Sequence, residues 1–301
     1  KTIYFKNFFI ILLFIYFVVG AYYSLNTGLS FDEWVEQIIW DYNVAIFKNG
    51  LFGIDIDKSF NYFPLKYYGI GFQIISQPIQ LLLADLITNF QNINSYGAHL
   101  ISKHFVVFVF FFISGIFFHL IIKKINKNIL FNYTATFLYL LYPYLFGHSL
   151  FNPKDIPFLS LWVICTYFSI DIFIKLTKEL YLKNIDVILI SFLTAFLLSI
   201  RISGVLIFIQ YIFTLIIFLN LEKMTLKHLL KKMYKYIFSF ILLVLAVTYL
   251  LYPAFWKNPL MFIEAINSMS NHFNNVCTLT LGKCMFSNKL DPTYIPIWLS
   301  V

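Results

Sequence analysis

"YYGIGFQIISQPIQLLLADLI", residues 67–87, is the stretch on whose reading the fold turns. It is long and apolar enough to be taken for a membrane span. Yet Gln73, Ser76, Gln77 and Gln80 recur at three- and four-residue spacing and draw a polar stripe down one face of a helix. A helix crossing lipid has little use for such a stripe, whereas a helix lying in the interface needs one. Whether it crosses decides on which side of the membrane every later segment falls.

Composition sets the class around it. Of 301 residues, 60% are hydrophobic and only 12% charged, where soluble domains carry about a quarter charged residues. Apolar runs at residues 8–24, 105–122, 129–147, 156–174, 185–200, 202–220 and 237–252 approach the roughly 20 residues that a spanning helix needs. The expectation is an all-α, polytopic transmembrane bundle forming a single domain over 1–301. No internal repeat or low-complexity linker divides it. No small-residue cleavage site follows the first run, which therefore reads as a retained span. The chain begins at Lys1 rather than Met and stops inside "TYIPIWLSV", which reads as the opening of a further span, so a fragment is expected.

The lysines choose between the two topologies. If 67–87 does not cross, Lys1 and Lys6, Lys123, Lys124 and Lys127, Lys175, Lys178 and Lys183, and the five lysines from Lys223 to Lys235 all fall on one side. That satisfies the positive-inside rule throughout. If it crosses, every later cluster moves outside. Residues 67–87 are therefore read as an interfacial helix in a first outer loop. The outer parts then hold ten of the fourteen carboxylates. They also hold Cys277 and Cys284, a candidate disulfide that an oxidising compartment would permit. Cys165, inside an apolar run, reads as a small buried hydrophobe. The basic stretch 221–236 reads as an amphipathic segment on the anionic inner leaflet.

Three outer stretches can carry chemistry. In "GLSFDEWVEQ", Ser30 followed three residues later by Glu33 is a capping box, and Asp32 favours the same helix start. A helix terminus at the membrane surface would also hold Asp32 fixed and ionised, as a base requires. In "FGHSLFNPKDIPF", residues 146–158, Lys154 and Asp155 stand at the mouth of a span. Carboxylates at that depth usually line a cavity or pathway; the plainer reading is a local pair that caps the helix. In "SIRISG", Arg201 is a lone outer cation, suited either to snorkelling into lipid phosphate or to binding a substrate phosphate. His148 and His272 have no neighbours at metal-ligand spacing, so no metal site is predicted. No phosphate-binding glycine loop is present.

"FDEW", "PYLFGHSLFNPKDIP", "IRISG" and "YPAFWKNPLMFIEAI…LDPTYIPIWLSV", in that order, resemble membrane glycosyltransferases of the GT-C type. The nearest relatives by this resemblance are protein O-mannosyltransferases and lipid A aminoarabinose transferases of bacteria. The resemblance implies a GT-C bundle in the bacterial cytoplasmic membrane with its site facing the periplasm. It implies a polyprenyl-phosphate sugar as donor and a protein or glycolipid as acceptor, with no nucleic-acid partner and no firmly implied cofactor. It leaves the need for a divalent metal open. It assigns Asp32 as base, with Glu33 and Asp155 as the other acidic site residues. It places Arg201 where a basic residue holds the donor phosphate. Beside the resemblance, the chemistry makes Lys154 a second candidate for the phosphate, and His148, Asn152 and His272 are candidates for substrate contact. The chemistry is coherent, because a phosphate leaving group needs no protonating acid, only a base for the acceptor and cations for the phosphate. The rival is a transporter or lipid flippase, which would place ionisable residues near the middle of its spans.

Overall fold

The computed structural model describes residues 2–54, 67–178, 182–221, 223, 226–256, 258–270, 277–280, 282–286 and 289–296. Its longer elements are α1 (Thr2–Asn26), α2 (Phe31–Phe52), α3 (Gly71–Gln91), α4 (Ser95–Ile125), α5 (Ile129–Leu141) and α6 (Pro143–Ser149). They continue with α7 (Asp155–Thr177), α8 (Asn184–Ile200), α9 (Ile207–Leu221), α10 (Leu226–Leu250) and α11 (Met261–Ser270), then strands β1 (Cys277–Thr280) and β2 (Lys283–Phe286). The fold is all-α apart from that hairpin, among the described residues. Its contacts divide the chain into two compact units, Lys1–Lys257 and Asn258–Val301, a division that the reading of 1–301 as one domain did not draw.

Local sequence sets several helix ends. α2 starts where the Ser30 N–H donates to Glu33 Oε1 at 2.6 Å, and it ends at Gly53, whose φ of 67° is the left-handed conformation of a C-cap. α4 and α5 start on the side chains of Asn94 and Asn128, which accept from Gly97 N and from Leu130 N and Phe131 N.

Five segments are long and apolar enough to cross a membrane, namely Phe5–Asn26, Ser95–Ile125, Asp155–Leu176, Ile202–Leu221 and Met233–Leu250. They cover five of the seven runs expected to span. The run 129–147 is α5 and α6 with a 57° bend between them. Pro143 lacks an N–H and begins α6, which breaks the helix there. The run 185–200 forms the 17-residue α8, about 26 Å long against a hydrocarbon core of about 30 Å. From Thr194 to Ile200 every residue of α8 is buried, as befits an inner helix. The basic stretch 221–236 is not a separate surface helix. From Leu226 it is the beginning of α10, which contains no Gly or Pro to interrupt it.

Side-chain pairs fix the direction of each helix. α1 runs antiparallel to α4, with the Phe9 ring 5.0 Å from His119 and the Ser24 carbonyl 3.1 Å from His104 Nδ1. α4 runs parallel to α7, with Phe117 5.7 Å from Phe168 and Lys124 Nζ 2.5 Å from Asp171. α7 and α8 are antiparallel, paired by Arg201–Asp155 (2.6 Å) at one end and Lys175–Asp186 (2.9 Å) at the other. Charge thus collects in two layers, one around Arg201 and one around Lys124. Asp155 and Asp171 lie about 24 Å apart along α7, a separation close to the thickness of a bilayer core.

Both ends of α3 belong to the Arg201 layer. A Cβ at Gly69, two residues before α3, would fall 2.0 Å from the carbonyl oxygen of Ser199, one residue from the end of α8, so only glycine permits that approach. At the other end, Gln91 Nε2 donates to the Leu25 carbonyl at 2.9 Å, one residue from the end of α1. α3 therefore returns to the face it starts from. Its polar stripe, however, points inward. Gln73, Ser76, Gln77 and Gln80 are buried against α2 and α4, while Leu82 and Phe90 are 75% and 86% exposed. The amphipathicity is that of a helix docked on a polar protein surface with its apolar side outward, as lipid contact requires.

In the second unit, β1 and β2 pair antiparallel with Leu279 opposite Cys284, around Gly282 at φ 76°. Cys277 and Cys284 are joined by a disulfide, with Cα atoms 5.5 Å apart.

Because α3 starts and ends in one layer, single cysteines introduced near Gly50 and at Asn92 in a cysteine-free background should both react with a membrane-impermeant thiol reagent from the same side. Labelling of the two positions from opposite sides would mean that 67–87 crosses.

Candidate functional site

The Arg201 layer is built where α2, α3 and α4 meet the start of α7 and the end of α8. α7 starts on Asn152, whose Oδ1 accepts from the Lys154 N–H at 3.1 Å and the Asp155 N–H at 2.9 Å. An Asn before a proline commonly starts such a turn. The Asn152 amide donates to Asp155 Oδ2 and to His148 Nδ1, both at 3.1 Å. His148 Nδ1 is thus an acceptor, and its proton sits on Nε2. Tyr144 and Phe151 flank the imidazole, with ring centroids 4.3 Å and 5.4 Å away.

With Asn152 closing the turn, Lys154 and Asp155 are free to part. They do not pair with each other in this layer. Asp155 Oδ1 accepts from Arg201 Nη2 at 2.6 Å, and both side chains keep substantial exposure. Lys154 turns inward and donates to Glu36 Oε1 at 2.6 Å, with its Nζ 3.5 Å from the centroid of the Tyr68 ring. Glu36 is buried, and its second oxygen accepts from Gln73 Nε2 at 2.5 Å. Gln77 donates to Gln37, and Gln37 to Asp41, so the polar stripe of α3 is spent on α2.

Tyr68 is where these charges meet. Burial pushes its hydroxyl above the ordinary tyrosine range, the negative charges of Glu36 and Asp32 push the same way, and Arg201 opposes them. Burial also raises the Asp41 carboxyl, against the hydrogen bond from Gln37 and the charges of His99 and Lys103.

Glu33 and Asp32, adjacent in sequence, have separate roles. Glu33 is fully buried; beyond capping α2, its Oε2 lies 2.8 Å from His104 Nε2. His104 Nδ1 faces the Ser24 carbonyl, which only accepts, so Nδ1 must donate. The Glu33–His104 contact is then a hydrogen bond only if one more proton resides there, on ring or carboxyl. Asp32 is exposed, one residue away on the outer side of the turn. Next to His104, Lys103 is completely buried and its Nζ has no hydrogen-bond partner among the described residues. The carboxylates whose charges act on it are Glu36, Glu33 and Asp41.

The structure therefore gathers Asp155, Arg201, Lys154, Asn152 and His148 in one layer, with Asp32 within electrostatic reach of Tyr68. His272 lies outside the described residues. Cys277 and Cys284 belong to the second unit. Sequence reasoning missed Glu36, Tyr68, Lys103 and His104, and read Gln73 only as part of an interfacial stripe. The signal for Glu36 was present, since "DEWVEQ" repeats a carboxylate at the three-residue spacing that keeps Glu33 and Glu36 on one helical face. Among the described residues, no three His, Cys, Asp or Glu side chains group as metal ligands. Comparison with protein-family models, with curated proteins and with solved structures gives no match.

Removing one partner of a buried pair leaves an uncompensated charge. Glu36→Gln should destabilise the purified protein by about 3 kcal/mol, read as a lower midpoint of thermal unfolding in detergent. Lys154→Met added to it should recover part of the loss, giving a coupling of about 1 kcal/mol or more in the double-mutant cycle. Additive effects would mean that the two side chains do not form the pair in solution.

Proposed function

We propose that the chain is an integral-membrane glycosyltransferase of GT-C type. It would move a sugar from a polyprenyl-phosphate donor to an acceptor hydroxyl at the Arg201 face, the periplasmic side of a bacterial cytoplasmic membrane. The observation that carries the reading is the side-by-side placement of two cation–carboxylate pairs, Arg201–Asp155 and Lys154–Glu36, at one end of the bundle. An exposed carboxylate, Asp32, acts on the Tyr68 that adjoins them. The resemblance in sequence supplies the reaction class.

In this reading Asp32 takes the proton of the acceptor hydroxyl, and the acceptor oxygen bonds to the anomeric carbon. The bond from that carbon to the phosphate oxygen breaks, and the electron pair leaves on the polyprenyl phosphate. Arg201 and Lys154 stabilise the charge that develops there. Asp155 and Glu36 hold these cations in place before substrate arrives, so little reorganisation is needed during the reaction. Glu33, buried with His104, shapes the start of α2 and so positions Asp32 rather than acting on substrate.

The rival reading, a transporter or lipid flippase, calls for ionisable pairs along the middle of the spans. Here the ion pairs among the described residues stand in the two end layers. α4 reaches Lys103 and His104 only after two turns. At 31 residues it is about 46 Å long, so those residues stay level with the end layer.

Asp32→Asn keeps the shape of the side chain and removes the base. Transfer from a polyprenyl-phosphate sugar should fall about 10²- to 10⁴-fold, with donor binding retained. Arg201→Ala should weaken donor binding as well as slow transfer, because its charge acts on the phosphate before and during the reaction. Near-wild-type transfer by Asp32→Asn would remove that residue from the mechanism.

A further inference from the structure

A cavity of about 320 Å³ lies between α7, α8, α9 and α10, and the proposed transfer makes no use of it. Ile172, Phe173, Val187, Ile190, Leu215 and Ile237 are among its walls. The hydroxyls that reach it are already engaged. Tyr211 bonds to Thr194 at 2.8 Å, Tyr236 donates to the Leu182 carbonyl at 3.2 Å, and Ser169 donates to the Thr166 carbonyl at 2.9 Å. The lining thus offers an occupant no polar partner, and only hydrocarbon suits it. The cavity opens sideways between α9 and α10, where Ile212 and Ile241 are 57% and 51% exposed. Along α10 it extends from Met233 to Ile241, about 12 Å, close to one leaflet's share of a core of about 30 Å.

Its end in the Lys124 layer is marked by cations. The hydrogen bond from Tyr236 to Leu182 brings α10 against the chain two residues before α8, so Lys235 and Lys183, each next to one partner in sequence, flank the same contact. Both lysines are exposed. Lys175 nearby is committed to Asp171 at 3.0 Å and Asp186 at 2.9 Å. Lys124 also pairs with Asp171, so Lys124 and Lys175 together offset Asp171 and Asp186, and among the described residues Lys183 and Lys235 leave positive charge beside the mouth. An apolar slot one leaflet deep, with cations at its headgroup end, matches a lipid of opposite charge.

We propose that this cavity is a binding site for an anionic phospholipid, with one acyl chain in the slot and the headgroup phosphate between Lys183 and Lys235. The acyl chain fills space that protein side chains leave empty among four helices. The net charge of the headgroup sets the choice of lipid, since a zwitterionic lipid gains the same hydrocarbon contacts but its own cation offsets the phosphate before the lysines. The site stands at the opposite layer from Arg201 and does not depend on the transferase reading.

The test is native mass spectrometry of the delipidated full chain, titrated separately with phosphatidylglycerol and phosphatidylcholine of identical acyl chains. Wild-type protein should bind phosphatidylglycerol more tightly. Lys183→Gln with Lys235→Gln should weaken that binding about fivefold for each lysine removed and lower phosphatidylcholine binding much less. Leu215→Trp, which fills the slot, should reduce binding of both lipids, with folding checked by monodisperse elution and thermal unfolding. Equal binding of the two lipids by wild type, or unchanged phosphatidylglycerol binding by the double Gln variant, would overturn the proposal. So would a folded Leu215→Trp variant that binds both lipids like wild type. Should Leu215→Trp not fold, the Gln pair decides alone, since its side chains are exposed.

Discussion

Glu36 is a carboxylate with almost no access to water, and its two oxygens are held by Lys154, the residue before α7, and Gln73 from α3. A lone charge at that depth would cost several kcal/mol, so α2, α7 and α3 have to arrive together. Their arrival fixes the rest of the Arg201 layer. Lys154, drawn inward, lies over Tyr68, and Asp155, left behind, meets Arg201 across the α7–α8 contact. Gly69 and Gly71 let the chain beside Tyr68 sit against Ser199 closely enough for this to happen. One buried charge thus organises four helices and the loop before α3.

The same constraint explains why α3 looks inside out. In water its glutamines would face solvent and its leucines the core. Here the neighbouring surface is the polar face of α2 and α4, with Glu33, Glu36, Gln37, Lys103 and His104 all buried. Backbone and side-chain polar groups cannot be left toward hydrocarbon, so the glutamines turn to that face and Leu82 and Phe90 turn outward. The stripe records a helix that stays in one layer, but the surface receiving it is protein.

Separation of roles between neighbours is a second theme. Asp32 and Glu33, and likewise Lys154 and Asp155, are adjacent in the chain and diverge in the fold. In a helical first turn, successive side chains point about 100° apart, so one member faces the interior and the other the outside. Glu33 and Lys154 take the buried side. Asp32 and Asp155 remain reachable from the aqueous face, which is what a base and a phosphate-side carboxylate would need.

Much was legible in the sequence because it is local. The apolar runs and the Ser30–Glu33 box each depend on residues within a turn or a span of one another, whereas 129–147 reads in sequence as one unbroken span and the bend at Pro143 is passed over. The positive-inside pattern chose a non-crossing 67–87 from the lysines alone, and the ends of α3 agree with it. Partnership was not legible, because it joins residues far apart. Lys154 finds Glu36 across 118 positions and His104 finds Glu33 across 71, while the adjacent Asp155, the obvious partner by sequence, goes to Arg201. Periodicity says which face of a helix is polar, but not whether that face meets water or another helix. The burial of the α3 stripe and the fate of each charge were decided only when the helices packed, because the energy of a charge depends on what surrounds it.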